Sequence, residues 1–102
     1  MVCPACGEPM MILEIEAIEL DWCEACGGLW LDTGELEAIA GRAGAQPGRL
    51  TVLLDRARGG KASTRRCPRC PRHLREEHVA TSSGHEVTID RCPGGDGIWL
   101  DR

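Results

Sequence analysis

Six of the seven cysteines in this 102-residue chain form three pairs, and two residues separate the thiols of each pair. The pairs are Cys3/Cys6, Cys23/Cys26 and Cys67/Cys70, and Cys92 is the seventh cysteine. Cysteines this close are poor partners for a structural disulfide, but two thiolates in a tight turn can hold one tetrahedral metal ion. An odd count also disfavours a disulfide scaffold. The pattern therefore predicts metal binding in a reducing compartment, which we take to be the cytoplasm.

A ten-residue stretch that includes the second cysteine pair occurs again at the end of the chain. The sequences are C-E-A-C-G-G-L-W-L-D at 23–32 and C-P-G-G-D-G-I-W-L-D at 92–101. They align without a gap, so the tryptophans coincide, but Cys26 falls opposite Gly95. Modules of about 40 residues rarely fold on a hydrophobic core alone, and a bound metal is a common solution. We therefore predict two metal-stabilised modules, the second with an incomplete set of cysteines.

The residues between the first two cysteine pairs predict a short β-hairpin. Apolar and acidic residues alternate through 10–22, and the alternation changes phase at Glu16 and Ala17, where we place the turn. Folding this hairpin brings the two pairs together. Their spacing of two, sixteen and two intervening residues is typical of a zinc site. The predicted ligands of this first site are Cys3, Cys6, Cys23 and Cys26, with iron as the alternative metal.

The second copy supplies three thiols where a structural zinc site needs four ligands. These thiols belong to Cys67, Cys70 and Cys92. The fourth ligand could be Asp96, one residue beyond the missing cysteine, or His73, close to the third cysteine pair. The next alternative is a second module that holds no metal and is partly disordered. An open fourth position would resemble a catalytic zinc site, but the sequence indicates neither a general base nor a substrate pocket. We therefore expect a protein that is not an enzyme.

A helix is predicted directly after the first site. The sequence from Asp32 to Glu35 is a capping box, in which the two carboxylates accept hydrogen bonds from backbone N–H groups at the helix start. Apolar residues recur at helical spacing up to Gly44, which is a typical helix end. We expect this helix to pack on the hairpin near Trp30.

The segment between the two modules predicts a second, shorter helix. Leucines at helical spacing, flanked by Pro-Gly and Gly-Gly, indicate an amphipathic helix at about 48–58, followed by a flexible basic linker at 59–66. Because the second copy ends without a helix of its own, this connector helix is a candidate to pack in the equivalent place. The second hairpin is predicted at 74–80 and 85–91, with its turn between them.

These elements predict a small, metal-stabilised α+β fold with two modules of the same architecture. Each module consists of a short antiparallel hairpin and tight turns that carry the ligands, which we call knuckles. The predicted domains are the first module with its C-terminal helix at 1–44, the connector at 45–66, and a second, degenerate module at 67–102.

Charge is distributed unevenly along the chain, whose formal net charge is -4. Residues 1–44 carry nine acids and one base, whereas residues 49–75 carry nine bases and one acid. The basic segment can contact phosphate, an acidic protein surface, or the acidic first module of the same chain. The candidate partner-binding residues are Arg49, Arg56, Arg58, Lys61, Arg65, Arg66, Arg69 and Arg72. The longest apolar run at the N-terminus, 10–13, is too short for a signal peptide or a membrane span, so no membrane partner is expected.

The motif C-P-x-C, followed by a hairpin and C-x-x-C-G-G-L-W-L-D-x-G-E-L-E, resembles the transcription factor IIB-type zinc ribbon family, in particular its small prokaryotic members. The resemblance covers 3–39 closely and 67–101 more weakly. It implies a zinc-ribbon fold in which the first two cysteine pairs bind zinc. Ribbons of this kind occur both as structural modules and as docking surfaces, so the resemblance leaves the partner open.

We therefore expect a non-enzymatic, zinc-binding interaction protein that docks a protein or a nucleic acid. The basic segment contains no aromatic residues on which single-stranded bases could stack, which disfavours single strands as the partner. Two alternatives come from redox chemistry. One is an iron-loaded, rubredoxin-like electron carrier. The other is a thiol switch at the second site, where Arg69, Arg72 and Arg91 would favour the thiolate form of the cysteines.

Overall fold

The computed structural model describes residues 1–44, 54–80 and 84–101, which form seven strands and one α-helix. The elements are β1 (Met11–Ile15), β2 (Ile18–Trp22), β3 (Leu29–Asp32), α1 (Thr33–Arg42), β4 (Arg58–Arg66), β5 (His73–Ala80), β6 (Glu86–Arg91) and β7 (Gly97–Leu100). All the strands belong to one antiparallel sheet, in the order β1-β2-β3-β7-β6-β5-β4. The predicted small ribbon fold is confirmed, with a sheet that dominates the structure.

The two modules join at the centre of this sheet, where β3 pairs with β7. Trp30 lies opposite Trp99, and Leu31 lies opposite Ile98. These are the equivalent strands of the two sequence copies, so their antiparallel pairing relates the modules by an approximate two-fold axis. The sequence predicts the two hairpins but not these central strands, which pair only because the modules meet.

Both predicted hairpins are present. The first turn consists of Glu16 and Ala17, whose φ angles of 51° and 66° define a two-residue loop. Such a loop matches the right-handed twist of the strands, although residues with a Cβ adopt these angles at a cost. The second hairpin is formed by β5 and β6, and residues 81–83 of its turn lie outside the described residues.

The core is divided between the two faces of the sheet. One face carries the cysteines and both central tryptophans, and its buried residues are Cys3, Cys23, Trp30, Cys67, Leu74, Cys92 and Trp99. The other face carries a separate apolar cluster of Ile18, Leu20, Leu31, Ile89 and Ile98. Helix α1 packs on this second cluster through Leu36 and Ile39. The predicted packing of the helix on the hairpin is confirmed, but the helix lies on the face of Leu31 and not on that of Trp30, because successive residues of a strand point to opposite faces.

The prediction of a flexible linker at 59–66 is also wrong. These residues form most of β4, which pairs with β5 and makes one edge of the sheet. Gly59 and Gly60 have positive φ angles and lie where the β4–β5 register shifts, as in a β-bulge. The outer edge of β5 offers unpaired backbone groups, and hydrogen bonding to them gives this glycine- and arginine-rich stretch an extended structure that its composition does not indicate.

The predicted connector helix lies largely outside the described residues, because 48–53 are not among them. Within the described part, Leu54 and Asp55 are helical, and β4 begins at Arg58. Leu54 packs against the same apolar cluster as α1. Among the helices of the described residues, none has both the length and the apolar composition needed to cross a membrane.

Candidate metal centres

The first predicted site is assembled from two knuckles, one before β1 and one between β2 and β3. The Sγ atoms of Cys3 and Cys26 are 3.6 Å apart, and those of Cys6 and Cys23 are 3.5 Å apart. All four Sγ atoms lie within 4.8 Å of one another. A zinc ion with Zn–S bonds of about 2.3 Å requires S–S separations of about 3.8 Å, whereas a disulfide requires about 2.0 Å. The four cysteines therefore have the spacing of a tetrahedral metal site.

The second predicted site has three thiols and one carboxylate. Asp96 Oδ2 lies 3.4 Å from Cys67 Sγ and 3.5 Å from Cys92 Sγ, and the Sγ atoms of Cys70 and Cys92 are 3.7 Å apart. Zinc bound to one oxygen and three sulfurs gives O–S separations of about 3.6 Å. Of the two candidates for the fourth ligand, the structure brings Asp96 to the thiols. The Nδ1 atom of His73 lies instead 3.1 Å from the Ser63 carbonyl oxygen, between β4 and β5.

The four knuckles share one backbone hydrogen bond. In each, the N–H of the first cysteine donates to the carbonyl five residues later, and the pairs are Cys3 to Glu8 (2.8 Å), Cys23 to Gly28 (3.0 Å), Cys67 to Arg72 (2.9 Å) and Cys92 to Gly97 (3.0 Å). The fourth knuckle keeps this bond although Gly95 stands in place of the second cysteine. The loss of that cysteine has therefore changed the ligand and left the turn intact.

Individual cysteines of the two sites differ in the pKa of their thiols. Burial raises the pKa of both Cys3 and Cys67 to about 12. The backbone N–H of Cys26 lowers the pKa of Cys23 to about 7. Hydrogen bonds from the thiols of Cys70 and Cys67 hold the pKa of Asp96 below its usual range. Because a metal binds thiolates, it must displace the protons of Cys3 and Cys67 when it binds.

Each central tryptophan covers a glycine of the other module. A Cβ atom at Gly28 would overlap the six-membered ring of Trp99. A Cβ atom at Gly97 would lie 2.9 Å from Trp30 Cζ2 and would also overlap the Leu31 carbonyl oxygen. Gly28 and Gly97 are equivalent in the two sequence copies, and each accepts the knuckle hydrogen bond of its own site. Each tryptophan therefore packs directly behind the knuckle of the other module, so the two tryptophans connect the two sites. This role was not predicted from the sequence.

Two of the candidate partner-binding arginines form ion pairs with aspartates of the same chain. Arg69 makes two hydrogen bonds to Asp32, from Nε at 2.9 Å and from Nη2 at 2.6 Å, and Asp32 also accepts from Trp30 Nε1 at 3.0 Å. Burial alone would raise the pKa of Asp32, but these hydrogen bonds hold it below its usual range. Because Arg69 lies in the second module and Asp32 in the first, this pair joins the modules.

The second module repeats this arrangement with another arginine. Trp99 Nε1 donates to Asp101 at 3.0 Å, and Arg65 pairs with both Asp101 and Asp90, the latter at 2.9 Å. Asp90 is buried, so this pair neutralises a carboxylate inside the protein. The sequence signal for both contacts is the repeated Trp-x-Asp, which appears at Trp30 and at Trp99.

The other basic candidates have different environments. Arg66 donates to the Pro71 carbonyl at 3.2 Å, and Arg72 Nη1 lies 3.7 Å from Cys70 Sγ. Arg49 lies outside the described residues. Three basic side chains are exposed and form no hydrogen bond or ion pair with other described residues: Arg56, Arg58 and Lys61.

Comparison with protein families matches residues 2–42 and 66–102 to the family described as transcription factor zinc-finger. The two matched segments correspond to the two modules and include both metal-ligand clusters. Comparisons with curated proteins and with solved structures gave no match. Both clusters fit zinc in the number and type of their ligands. The chain therefore belongs to the transcription factor zinc-finger family, as two copies of the transcription factor IIB-type zinc ribbon.

Proposed function

We propose that this chain is a non-enzymatic, zinc-binding interaction protein in which two zinc ions hold a double ribbon that docks a protein partner. One observation carries the proposal: each cluster supplies four side-chain ligands at the spacing of a zinc tetrahedron. A structural zinc site is closed in this way, whereas a catalytic site leaves one position open for water. The proposal includes a reducing compartment such as the cytoplasm, where the cysteines stay reduced and available to bind metal.

Zinc content is the first test of this proposal. We expect two zinc ions and no iron in the chain purified after expression without added metal, measured by plasma emission spectrometry. A rubredoxin-like carrier would instead contain iron and absorb visible light. The carboxylate of Asp96 supports zinc at the second site, because carboxylates are common zinc ligands and iron carriers of this type use four thiolates.

The thiol-switch alternative is tested by alkylation. If zinc holds the second cluster, iodoacetamide should leave its cysteines unmodified in the native protein and should modify them after chelation. Rapid alkylation of Cys70 in the zinc-loaded chain would favour the switch, because Cys70 is the most accessible thiol of that cluster.

A protein partner has more support than a nucleic acid. Arg65 and Arg69 are already paired with aspartates, so part of the basic segment is neutralised within the chain. The nucleic-acid alternative depends on Arg56, Arg58 and Lys61, which have no such partner among the described residues. Three phosphate contacts would give a logarithmic salt slope of about -2.7 with duplex DNA. We expect no binding with such a slope when labelled duplex and single strands are titrated and followed by fluorescence anisotropy.

Docking itself is tested by comparing zinc-loaded and zinc-free protein. The zinc-loaded chain, immobilised through its C-terminus, should retain a defined cellular protein that the chelated chain does not retain. A Cys23→Ser variant is the matched control, since it removes one ligand of the first site and leaves the surface charges unchanged. Retention of the same protein by the loaded chain and by this variant would contradict a role for the folded ribbon.

A further inference from the structure

The two hairpins differ in whether another strand pairs with their outer edge. In the second module, β4 runs directly into the knuckle at Cys67 and covers the outer edge of β5, with Arg66 opposite His73. The equivalent contact in the first module is a single bridge between Val2 and Pro9. Beyond that bridge, no strand from the described residues pairs with the outer edge of β1.

The register of the first hairpin identifies which backbone groups of β1 point away from β2. The two-residue loop makes Ile15 and Ile18 a hydrogen-bonded pair, and hydrogen-bonded and non-bonded pairs then alternate along the strands. Ile12 and Glu14 therefore direct their N–H and C=O groups away from β2. The N–H of Met10, which has the same phase, donates outward to the Met1 carbonyl at 2.9 Å. The free edge thus continues a pairing that the N-terminal residues begin.

Four of the five side chains of β1 are apolar and exposed, and the fifth is Glu14. The exposed fractions are 50% for Met11, 69% for Ile12, 38% for Leu13 and 51% for Ile15. Edge strands of natural proteins are usually protected by charged side chains, especially lysine, by proline or by a bulge. β1 contains no lysine, proline or bulge, and its one charged residue is Glu14. An exposed apolar surface of this kind marks an interaction site.

One face of β1 opens onto a cleft between the hairpin and α1. Its volume is about 340 Å³, and its walls include Arg42 as well as the apolar residues Ile15, Ile18, Leu20 and Ile39. Leu13 and Ile15 lie on this face of the strand because their pairing partners Leu20 and Ile18 belong to the buried cluster under α1. A strand added at the edge of β1 would place alternate side chains at the mouth of this cleft.

Charge indicates what such a strand contains. The hairpin of the first module carries Glu14, Glu16 and Glu19, and the chain contains no Lys or Arg before Arg42. The strand that covers the equivalent edge in the second module is basic: β4 has four basic residues and no acid, and its Lys61 lies opposite Glu76. The fold therefore already pairs an acidic hairpin with a basic strand at this position.

We propose that the free edge of β1 takes up an extended segment of a partner protein, in which apolar residues alternate with lysine or arginine. The segment pairs antiparallel with β1, as β4 does with β5. Its backbone hydrogen-bonds to Ile12 and Glu14, its apolar side chains reach the cleft, and its basic side chains lie near the glutamates of the hairpin. This inference rests on the proposed docking function and names the surface that performs it.

The test uses the full zinc-loaded chain, labelled with ¹⁵N, and a synthetic nine-residue peptide that alternates lysine and valine. We expect saturable shifts of the Ile12 and Glu14 amides and slower exchange of their protons with solvent. The Glu76 and Glu77 amides of the covered edge should not move. A peptide with glutamate in place of lysine is the charge control and should not bind. Shifts limited to Glu16 and Glu19 would indicate charge attraction alone and would overturn the proposal, as would no shift.

An Ile12→Pro variant removes one outward N–H without touching the hydrogen bonds between β1 and β2. It should weaken peptide binding at least tenfold, whereas Ile12→Thr, which keeps the N–H, should weaken it less. Two zinc ions per chain and unchanged amide shifts in the second module establish that the variant is folded. Equal binding by both variants would overturn the proposal. Concentration-dependent dimerisation of the native chain that Ile12→Pro abolishes would also overturn it, because the edge of β1 would then pair with a second copy of the chain.

The cellular partner distinguishes failure of this inference from failure of the proposed function. If the Ile12→Pro chain still retains the partner found with the native chain, docking occurs at another surface and only the assignment to β1 is overturned. If the native zinc-loaded chain retains no protein that the zinc-free chain lacks, the docking function itself is contradicted. Loss of the partner from Ile12→Pro, with retention by Ile12→Thr, is the result expected here.

Discussion

The ring of Trp99 lies against Gly28 and fills the space that a side chain there would need. Gly28→Ala should therefore lower the free energy of unfolding by about 1 to 3 kcal/mol, the range typical of an overfilled packed core. Gly97→Ala should cost more, because its Cβ would also meet the Leu31 carbonyl, which cannot rotate away. Urea unfolding of the zinc-loaded variants measures both effects.

Gly34→Ala is the matched control for these two variants. Gly34 lies in α1, and a Cβ atom there would have no neighbour within 4 Å. Alanine should stabilise the helix by about 0.5 to 1 kcal/mol, because glycine loses more backbone entropy on folding. Equal stability of Gly28→Ala and Gly34→Ala would show that the tryptophan does not pack on the knuckle as described.

The two arginine–aspartate pairs predict different losses of stability. Arg65→Ala should cost about 2 kcal/mol, because it leaves the buried carboxylate of Asp90 without its charged partner. Arg69→Ala should cost about 0.5 to 1 kcal/mol, because the Arg69 and Asp32 side chains are 47% and 27% exposed and water screens their attraction. Thermal and urea unfolding of the two variants under identical conditions gives the comparison.

Adding Asp90→Asn to the Arg65→Ala variant tests the cause of that loss. A neutral amide costs less to bury than an unpaired carboxylate, so the double variant should recover part of the stability. If the second substitution lowers stability further by its full single-variant amount, the two residues act independently and the assigned pairing is wrong.

Chelation should remove the two metal ions at different rates. The second site has a carboxylate from a glycine-rich turn in place of one thiolate, so we expect its zinc to be released first. A time course with an excess of a chromogenic zinc chelator should show two phases of one zinc each. Asp96→Ala should abolish the faster phase and leave one zinc per chain. Glu24→Ala is the control, because it removes an exposed carboxylate within a knuckle of the first site, and it should keep both phases. Release of all the zinc from the native chain in a single phase would contradict the predicted difference in release rate between the two sites.

Local sequence spacing was sufficient to predict the hairpins and the capping box. The turn at Glu16 and Ala17 follows from a change in the phase of alternation, and the box at Asp32 is present with the Asp32 N–H donating to Glu35 at 3.0 Å. The same spacing predicts the cysteine ligands, because folding a hairpin brings together the two knuckles at its ends. Asp96 could be proposed but not chosen over His73, since the choice depends on the path of the turn after Gly95.

Contacts between the modules could not be predicted in this way. The pairing of Trp30 with Trp99 depends on how two separate modules meet, which the spacing within either module does not determine. The strand state of 58–66 depends on the edge of β5, whereas its glycines and arginines are typical of a linker. A sequence signal did exist for the central packing: a glycine precedes the apolar residue and the tryptophan in both copies, at Gly28 and at Gly97.

The first hairpin turn offers a substitution that should stabilise the protein. Ala17 has a φ of 66°, where a residue with a Cβ pays about 1 to 2 kcal/mol that glycine avoids. Ala17→Gly should therefore raise the free energy of unfolding by about 0.5 to 1 kcal/mol after its larger loss of chain entropy is counted. Ala5→Gly is the matched control, because Ala5 is also exposed but does not have a positive φ, and it should destabilise the protein. Urea unfolding that ranks the two variants in the opposite order would mean that the loop does not have this left-handed conformation.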